Sequence, residues 1–390
     1  MHFLCVTQRA KADIYGQEYQ LKPLDPKIEN IEDILVTDNT SASELLSRHP
    51  EFLAGLSVDI DNLKGFPKIV NQLSDIGPEG KVLIMRNGGI GDHIMFLPAL
   101  RIFREVFPSN VEIILSAQRE KHPLFHHNSN ITQLLPMPLR LTAILEADYL
   151  IDFSGRKGLY DMDSLHMTDS CLEFLGIDYE KIKDKTPELV WDKNTSPIVS
   201  KLFQDAKKKN PRRPFVLLNW RASNILRDIP PERLLFMITE FKDVQFVVAQ
   251  QSKYSAEVLS ILEGYGDNLI NCTDHIATLE DYIAAIANCD AVIATDTSTG
   301  HLAEALGKHS IILYGPTRDD LWIRYYKKSI PVRANYSGKS CQSPCGMVKE
   351  MGQGCPEAQS LDSHYSPCLL SISEKDITNR FHELLDKLFL

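Results

Sequence analysis

Residues 81–103, KVLIMRNGGIGDHIMFLPALRIF, constrain the fold more than any other stretch. A continuous apolar run, KVLIM, enters a glycine turn, and Ile94, Leu97, Leu100 and Phe103 then recur at helical spacing. An uninterrupted apolar strand is buried on both faces, the condition of a parallel strand covered by helices. VEIILSA and ADYLIDF follow as further short apolar runs. From Pro214 a second series begins: PFVLLNW, VQFVVAQQ, NLINCT, DAVIATD and SIILYGP read as strands, with helical patterns at 231–240, 254–263, 279–288 and 300–307. Strands alternating with helices imply parallel, doubly wound sheets, so the fold class is α/β with two Rossmann-like halves facing a cleft.

The 390 residues suit two or three domains. Residues 1–80 are mixed in character, with a polar run LKPLDPKIEN, a short strand DILVT and a helix after Asn39-Thr40-Ser41, and form an N-terminal extension of open role. Residues 81–190 make the N-terminal half and 195–370 the C-terminal half. The Pro- and Lys-rich stretch from Thr186 to Pro214 is the connection between them. Residues 371–390 form a final helix with Ile377, Phe381, Leu384, Leu385 and Leu388 on one face, expected to pack across the two halves.

Several function classes are disfavoured at once. The balance of 42 Lys plus Arg against 52 Asp plus Glu gives a net charge of -10, which argues against a nucleic-acid partner. The basic run Lys207, Lys208, Lys209, Arg212 and Arg213 reads as a solvated helix end. No segment approaches the ~18 consecutive apolar residues of a spanning helix, and the first twenty lack a signal-peptide pattern, so a soluble, cytoplasmic protein is expected.

The turn Asn87-Gly88-Gly89-Ile90-Gly91-Asp92 lets a ligand approach backbone amides at the positive end of a helix. Its spacing is not the G-x-G-x-x-G of dinucleotide folds, and no ribose-binding acid ends VEIILSA, which disfavours a nicotinamide-dependent oxidoreductase. Asp92 has two readings, an ordinary first-turn cap or a carboxylate base able to take an acceptor hydroxyl's proton during sugar transfer. In the second half, Asp296, Thr297, Ser298, Thr299, Gly300 and His301 lie between strand and helix, where hydroxyls, amides and an imidazole meet a diphosphate or merely cap the helix.

Three segments, VLIMRNGGIGDHIMFLPALRIFREVFP, LLNWRASNILRDIPPERL and ATDTSTGHLAEALGKHSIILYGPT, make the chain resemble glycosyltransferase family 9, the lipopolysaccharide heptosyltransferases. The likeness covers roughly 81–370. It implies a GT-B fold, an ADP-heptose donor and inversion at the anomeric carbon; no catalytic metal is expected, because neither D-x-D triplet of the chain follows a nucleotide-binding strand. By motif position it implies Asp92 as base, Gly89 and Gly91 near the donor, and the loop of Asp296, Thr297, Ser298, Gly300 and His301 holding diphosphate and sugar. The family's usual lysine before a Trp-Pro pair is replaced by Arg227-Asp228-Ile229-Pro230, where the guanidinium is expected to meet the diphosphate. Asn219 and Arg221 are secondary candidates for the diphosphate or ribose. Ser298 stands where many relatives have glycine. The implied acceptor is a hydroxyl of a lipopolysaccharide-core or related glycan, lipid-linked acceptors bringing the enzyme to the inner membrane face peripherally. Alternatives are a GT-B transferase using another nucleotide sugar or a protein acceptor, and a non-catalytic sugar-nucleotide-binding protein. The oligomeric state is not legible.

Four of the eight cysteines, Cys341, Cys345, Cys355 and Cys368, crowd one loop at 341–368. They supply soft ligands for a structural zinc or iron, with reduced thiols and a disulfide as the other readings, and His364 as a substitute ligand. The triplets Asp59-Ile60-Asp61 and Asp161-Met162-Asp163 resemble a metal signature of another transferase fold, but neither follows a nucleotide-binding strand.

Overall fold

The computed structural model describes residues 1–15, 17–21, 34–153, 164–339, 341–346 and 355–389. The triplet Asp161-Met162-Asp163 and part of the cysteine loop, 347–354, lie outside them. The chain divides into two compact units, Met1–Asp161 with Met167–Lys185, and Met162–His166 with Thr186–Leu390.

The first unit runs β1 (His2–Val6), β2 (Ala10–Ile14), β3 (Gln17–Leu21), β4 (Ile34–Thr37), α1 (Asn39–Arg48), β5 (Leu53–Leu56), β6 (Lys68–Ile69), β7 (Glu79–Met85), α2 (Ile90–Val106), β8 (Asn110–Gln118), β9 (Gln133–Met137), β10 (Leu139–Arg140), α3 (Leu141–Leu145), β11 (Tyr149–Asp152) and α4 (Met167–Phe174). Its central sheet has the order β6-β11-β7-β8-β9, and every pairing in it is parallel. Val82, Leu83, Ile84 and Met85 are all fully buried, as the continuous apolar run requires.

Strands β1, β4 and β5 build a second, antiparallel sheet, β10-β4-β1-β5, whose outer strand β10 comes from the stretch between β9 and β11 of the parallel sheet. Alternation decides its packing. Phe3, Ile34 and Val36 share a core with Leu83, Met85, Ile114 and Leu150 of the parallel sheet. Their neighbours Leu4, Val6 and Leu35 point the other way, onto the β2-β3 hairpin and α1 through Ala12, Ile14, Tyr19, Ala42 and Leu45. The N-terminal segment is therefore a layer of the first unit, buried on both faces. Helix α1 starts at Asn39, and its cap is the residue before the Asn39-Thr40-Ser41 signal: Asp38 accepts from Thr40 N and Ser41 N at 2.9 and 3.0 Å.

The second unit runs α5 (Pro197–Lys209), β12 (Phe215–Asn219), α6 (Glu232–Glu240), β13 (Gln245–Val248), α7 (Ser255–Ile261), β14 (Leu269–Asn271), α8 (Leu279–Asn288), β15 (Ala291–Thr295), α9 (Ser298–Ala305), β16 (His309–Tyr314), α10 (Asp319–Trp322), β17 (Ser329–Arg333), α11 (Pro356–Ser360), α12 (Pro367–Leu370) and α13 (Glu374–Phe389). The all-parallel order β14-β13-β12-β15-β16-β17 is the 3-2-1-4-5-6 pattern of a dinucleotide-type doubly wound fold.

Three features depart from the sequence reading. The stretch expected as a bare connection contains α5, which buries only Val199, Ser200 and Phe203 and places Lys207, Lys208 and Lys209 in its last turn, where the helix dipole favours cations. β17 joins as a sixth strand at the sheet edge, where Pro331 is tolerated. Helix α13 buries Ile377, Phe381 and Leu384 in the second unit's own core, where the sequence had pointed to packing across the halves. Among the described residues no helix is long and apolar enough to cross a membrane.

Candidate functional site

Each unit carries one strand–turn–helix element where the sequence placed its candidates. In the first, β7 ends at Met85 and α2 begins at Ile90. Asp92 sits in the first turn of α2, and its Oδ2 accepts from Gly89 N at 2.6 Å. The carboxylate is half-exposed, and its Oδ1 accepts no hydrogen bond among the described residues. One oxygen is thus fixed by the backbone while the other is available to a hydroxyl. Gly91 is half-buried in the same turn. At Gly89 a Cβ would approach Asp92 Oδ2 to 3.3 Å.

Gly88, which the sequence reading did not single out, is the more demanding glycine. Its φ is +136° and a Cβ there would meet Asp92 Oδ2 at 2.7 Å. Two buried side chains support the turn from beneath. The Arg86 guanidinium donates to the carbonyls of Asn87 and, at 3.3 Å, Asp92. His93 is fully buried, and its Nδ1 lies 2.8 Å from Gly89 O, which can only accept, so Nδ1 carries the proton. Burial, with Arg86 nearby, depresses the imidazole to about 3 and keeps it neutral. His93 Nε2 has no hydrogen-bond partner among the described residues. The cue in sequence was there, a histidine beside the acid in Gly91-Asp92-His93, but it carried no sign of its orientation.

In the second unit, β15 ends at Thr295 and α9 begins at Ser298, with Thr297 as N-cap and no side chain capping the first turn. Thr297 and Ser298 are half-buried, and the uncapped first-turn amides present a positive helix end. Asp296 is only 3% exposed. Its Oδ2 accepts from Thr317 Oγ1 at 2.6 Å and lies 3.5 Å from Arg227 Nη1. Arg227 also donates to Ser223 Oγ at 3.0 Å. The structure therefore joins Arg227 to Asp296, and Thr317, absent from the sequence candidates, completes the group.

His301 is buried and its Nδ1 meets the Tyr326 hydroxyl. Just after Tyr326 in the chain, the amides of Lys327 and Lys328 donate to Glu304 at 2.7 and 3.0 Å. Gly300 has a packing role: a Cβ there would run into Ile312 Cδ1 of β16. Asn219 faces inward. Its Nδ2 donates to Thr299 Oγ1 and Tyr282 Oη at 2.6 and 3.1 Å, and its Oδ1 accepts from Arg221 N and Gln250 Nε2 at 3.0 and 2.9 Å. Those bonds occupy its amide and tie α9 to the sheet. Arg221 stacks on Tyr254 with 4.2 Å to the ring centroid and pairs with Glu257.

The 220–228 loop also touches the cysteine segment. Ser366 Oγ donates to Leu226 O at 2.7 Å, and Gly346 N to Pro316 O at 2.8 Å. A Cβ on Gly315 would meet Cys368 Sγ at 2.9 Å. Burial, then the thiols of Cys345, Cys355 and Cys341, raise Cys368 to about 12, and burial with Cys345 and Cys355 raises Cys341. Cys355 Sγ accepts from Ala358 N at 3.4 Å. The four are neighbours, and none of them is in a disulfide. Among the described residues, however, no three His, Cys, Asp or Glu side chains converge closely enough to hold a metal ion. Asp59 of the other triplet accepts from Asn62 at 2.7 Å in an exposed turn.

Residues 193–350 match the model of glycosyltransferase family 9 (heptosyltransferase). No curated protein matches the chain in sequence. Among solved structures, a glycosyltransferase family 9 protein from Veillonella parvula is similar with a TM-score of 0.61 at 15% identity, covering 80% of this chain and 98% of its own. ADP-heptose lps heptosyltransferase II of E. coli gives 0.58 at 14%, covering 80% and 100%. The iron-containing dodecameric glycosyltransferase TibC of enterotoxigenic E. coli gives 0.54 at 11%, covering 86% and 79%. The matched segment holds the whole C-terminal parallel sheet, and the chain as a whole shares the fold of these glycosyltransferases.

Proposed function

We propose that the protein transfers a heptose from ADP-heptose to a glycan hydroxyl with inversion, Asp92 acting as general base. The observation that carries this reading is the Asp92 carboxylate, oriented through one oxygen by Gly89 N at 2.6 Å and open at the other. A base of this kind accepts the proton of the attacking hydroxyl as the bond to the sugar's anomeric carbon forms and the bond to the diphosphate breaks. The leaving diphosphate gains negative charge, and the uncapped end of α9, with Thr297 and Ser298, supplies amides and hydroxyls to meet it. Arg227, held by Asp296 and Ser223, adds a fixed positive charge, and His301 a donor oriented by Tyr326. The donor assignment rests on the family match at 193–350 and on the fold shared with E. coli heptosyltransferase II.

The test is direct. Calorimetry with ADP, UDP, GDP, CMP and NAD should give selective binding of ADP, and ADP-heptose should turn over with a core-glycan acceptor. Preference for another diphosphate replaces the donor, and binding of NAD alone overturns the reading. In the second unit, Cys341, Cys345, Cys355 and Cys368 fit a thiophilic structural ion in donor chemistry, and a fold neighbour is iron-containing. Their raised proton affinities mean that binding would release protons and would require the thiols to draw together. Elemental assay of untagged protein should find about one iron or zinc per chain.

A further inference from the structure

The N-terminal layer reaches the glycine turn through two buried side chains, Asp38 and Ser41, which both meet Asn87. Asn87 Nδ2 donates to Asp38 Oδ2 at 2.6 Å and to Ser41 Oγ at 3.1 Å, while its Oδ1 accepts from Gly88 N at 2.8 Å. Asp38 is 2% exposed. Its other oxygen, Oδ1, is the one that caps α1. Gln118 Nε2, at the end of β8, closes the group on Ser41 Oγ at 3.4 Å.

A helix cap needs one acceptor oxygen, and serine or threonine would serve. The second carboxylate oxygen of Asp38 is used instead to hold a residue 49 positions away, by a charge-assisted bond stronger than one between neutral groups. That matters because of what Asn87 controls. Gly88 has the widest backbone freedom of any residue and sits at φ +136°, and Gly89 N beside it orients Asp92. Contacts run from Asp38 to Asn87, to Gly88 N, to the Gly89 amide and so to Asp92 Oδ2. His93 and Arg86 brace the same turn from the interior.

We propose that Asp38 is a positioning residue, through which the N-terminal layer holds the Asn87-Gly88-Gly89 turn in the conformation that aims the Asp92 carboxylate. The inference rests on the reading of Asp92 as base. It gives residues 1–56 a place in the chemistry, and it commits to one atom pair, Asp38 Oδ2 with Asn87 Nδ2.

The experiment exploits the division of labour between the two oxygens. Asp38→Asn keeps the capping oxygen but turns an amide NH2 toward that of Asn87. Asn87 can relieve the clash only by flipping, which removes the acceptor from Gly88 N. Asn87→Asp alone sets two carboxylates face to face. The double variant, Asp38→Asn with Asn87→Asp, restores a donor and an acceptor across the gap. Two readouts are taken on the full-length protein: hydrogen exchange of a peptide spanning 86–93, and kcat with ADP-heptose alongside ADP affinity. Each single variant should speed exchange in that peptide, by about 10-fold, and lower kcat by about 10-fold at unchanged ADP affinity, as expected for a displaced catalytic group. The double variant should return both toward wild type. Unchanged exchange in Asp38→Asn, or no recovery in the double variant, overturns the link. Faster exchange with unaltered kcat overturns the positioning role. Asp92→Asn measured in parallel separates the two levels: if it retains turnover, the base reading fails, and the exchange data alone decide whether Asp38 holds the turn.

Discussion

The two turns use an aspartate in opposite ways. Asp92 follows its glycines into the first helical turn and is half-exposed, and among the described residues its carboxylate is bonded only through one oxygen, to Gly89 N. Asp296 precedes its helix, is buried, and is engaged by Thr317 and Arg227. A carboxylate left partly open to solvent can take a proton from a substrate, whereas one enclosed with a guanidinium serves to hold that cation in place. Two aspartates in strand–turn–helix elements thus differ, one half-exposed and one enclosed, and the enclosure comes from neighbours distant in sequence.

The contrast can be broken most severely at Asp92. Asp92→Asn should cut turnover by about 10²–10⁴ while ADP affinity stays within error, measured by steady-state kinetics and calorimetry. Equal losses of turnover and ADP binding would erase the distinction between the turns. Next comes Arg227→Ala, which strands the buried Asp296 charge and should lower stability by about 2 kcal/mol in urea unfolding. Adding Asp296→Asn should recover part of that loss, and simple additivity of the two changes would show that the pair is not coupled. Gly88→Ala should cost about 1–2 kcal/mol and exceed Gly89→Ala, because only Gly88 combines a positive φ with a clash against Asp92.

A pH series sharpens the role of His93. An unfolded histidine titrates near 6.5, while burial holds folded His93 at about 3. Between those values the unfolded chain binds the extra proton, so this contribution is present above about pH 6.5 and is lost as pH falls toward 3. The slope is at most about 1.4 kcal/mol per pH unit. His93→Phe should flatten unfolding stability against pH over the range 6 to 4, and an unchanged slope would remove His93 from the acid response.

Much of this architecture is legible locally. Continuous apolar runs mark β7, β8, β12, β15 and β16, and 3.6-residue periodicity marks α2, α8 and α13, because each signal is complete within one element. Among the strands that escape, β9 and β17 are sheet-edge strands containing Pro136 and Pro331, residues that read as breakers until an edge position is known. The candidate turns are equally visible, since glycine and small polar residues between strand and helix have few other uses. What each residue does there was not. Gly300 packs on Ile312, Asn219 is consumed by Thr299, Tyr282 and Gln250, and Asp38 bonds Asn87. The sequence by itself determined the α/β class, the family resemblance and the chemical inventory of both turns, because these depend on short-range order. Only the tertiary structure decided which groups are open and which are engaged, because a hydrogen-bond partner tens of residues away leaves no periodic trace in the chain.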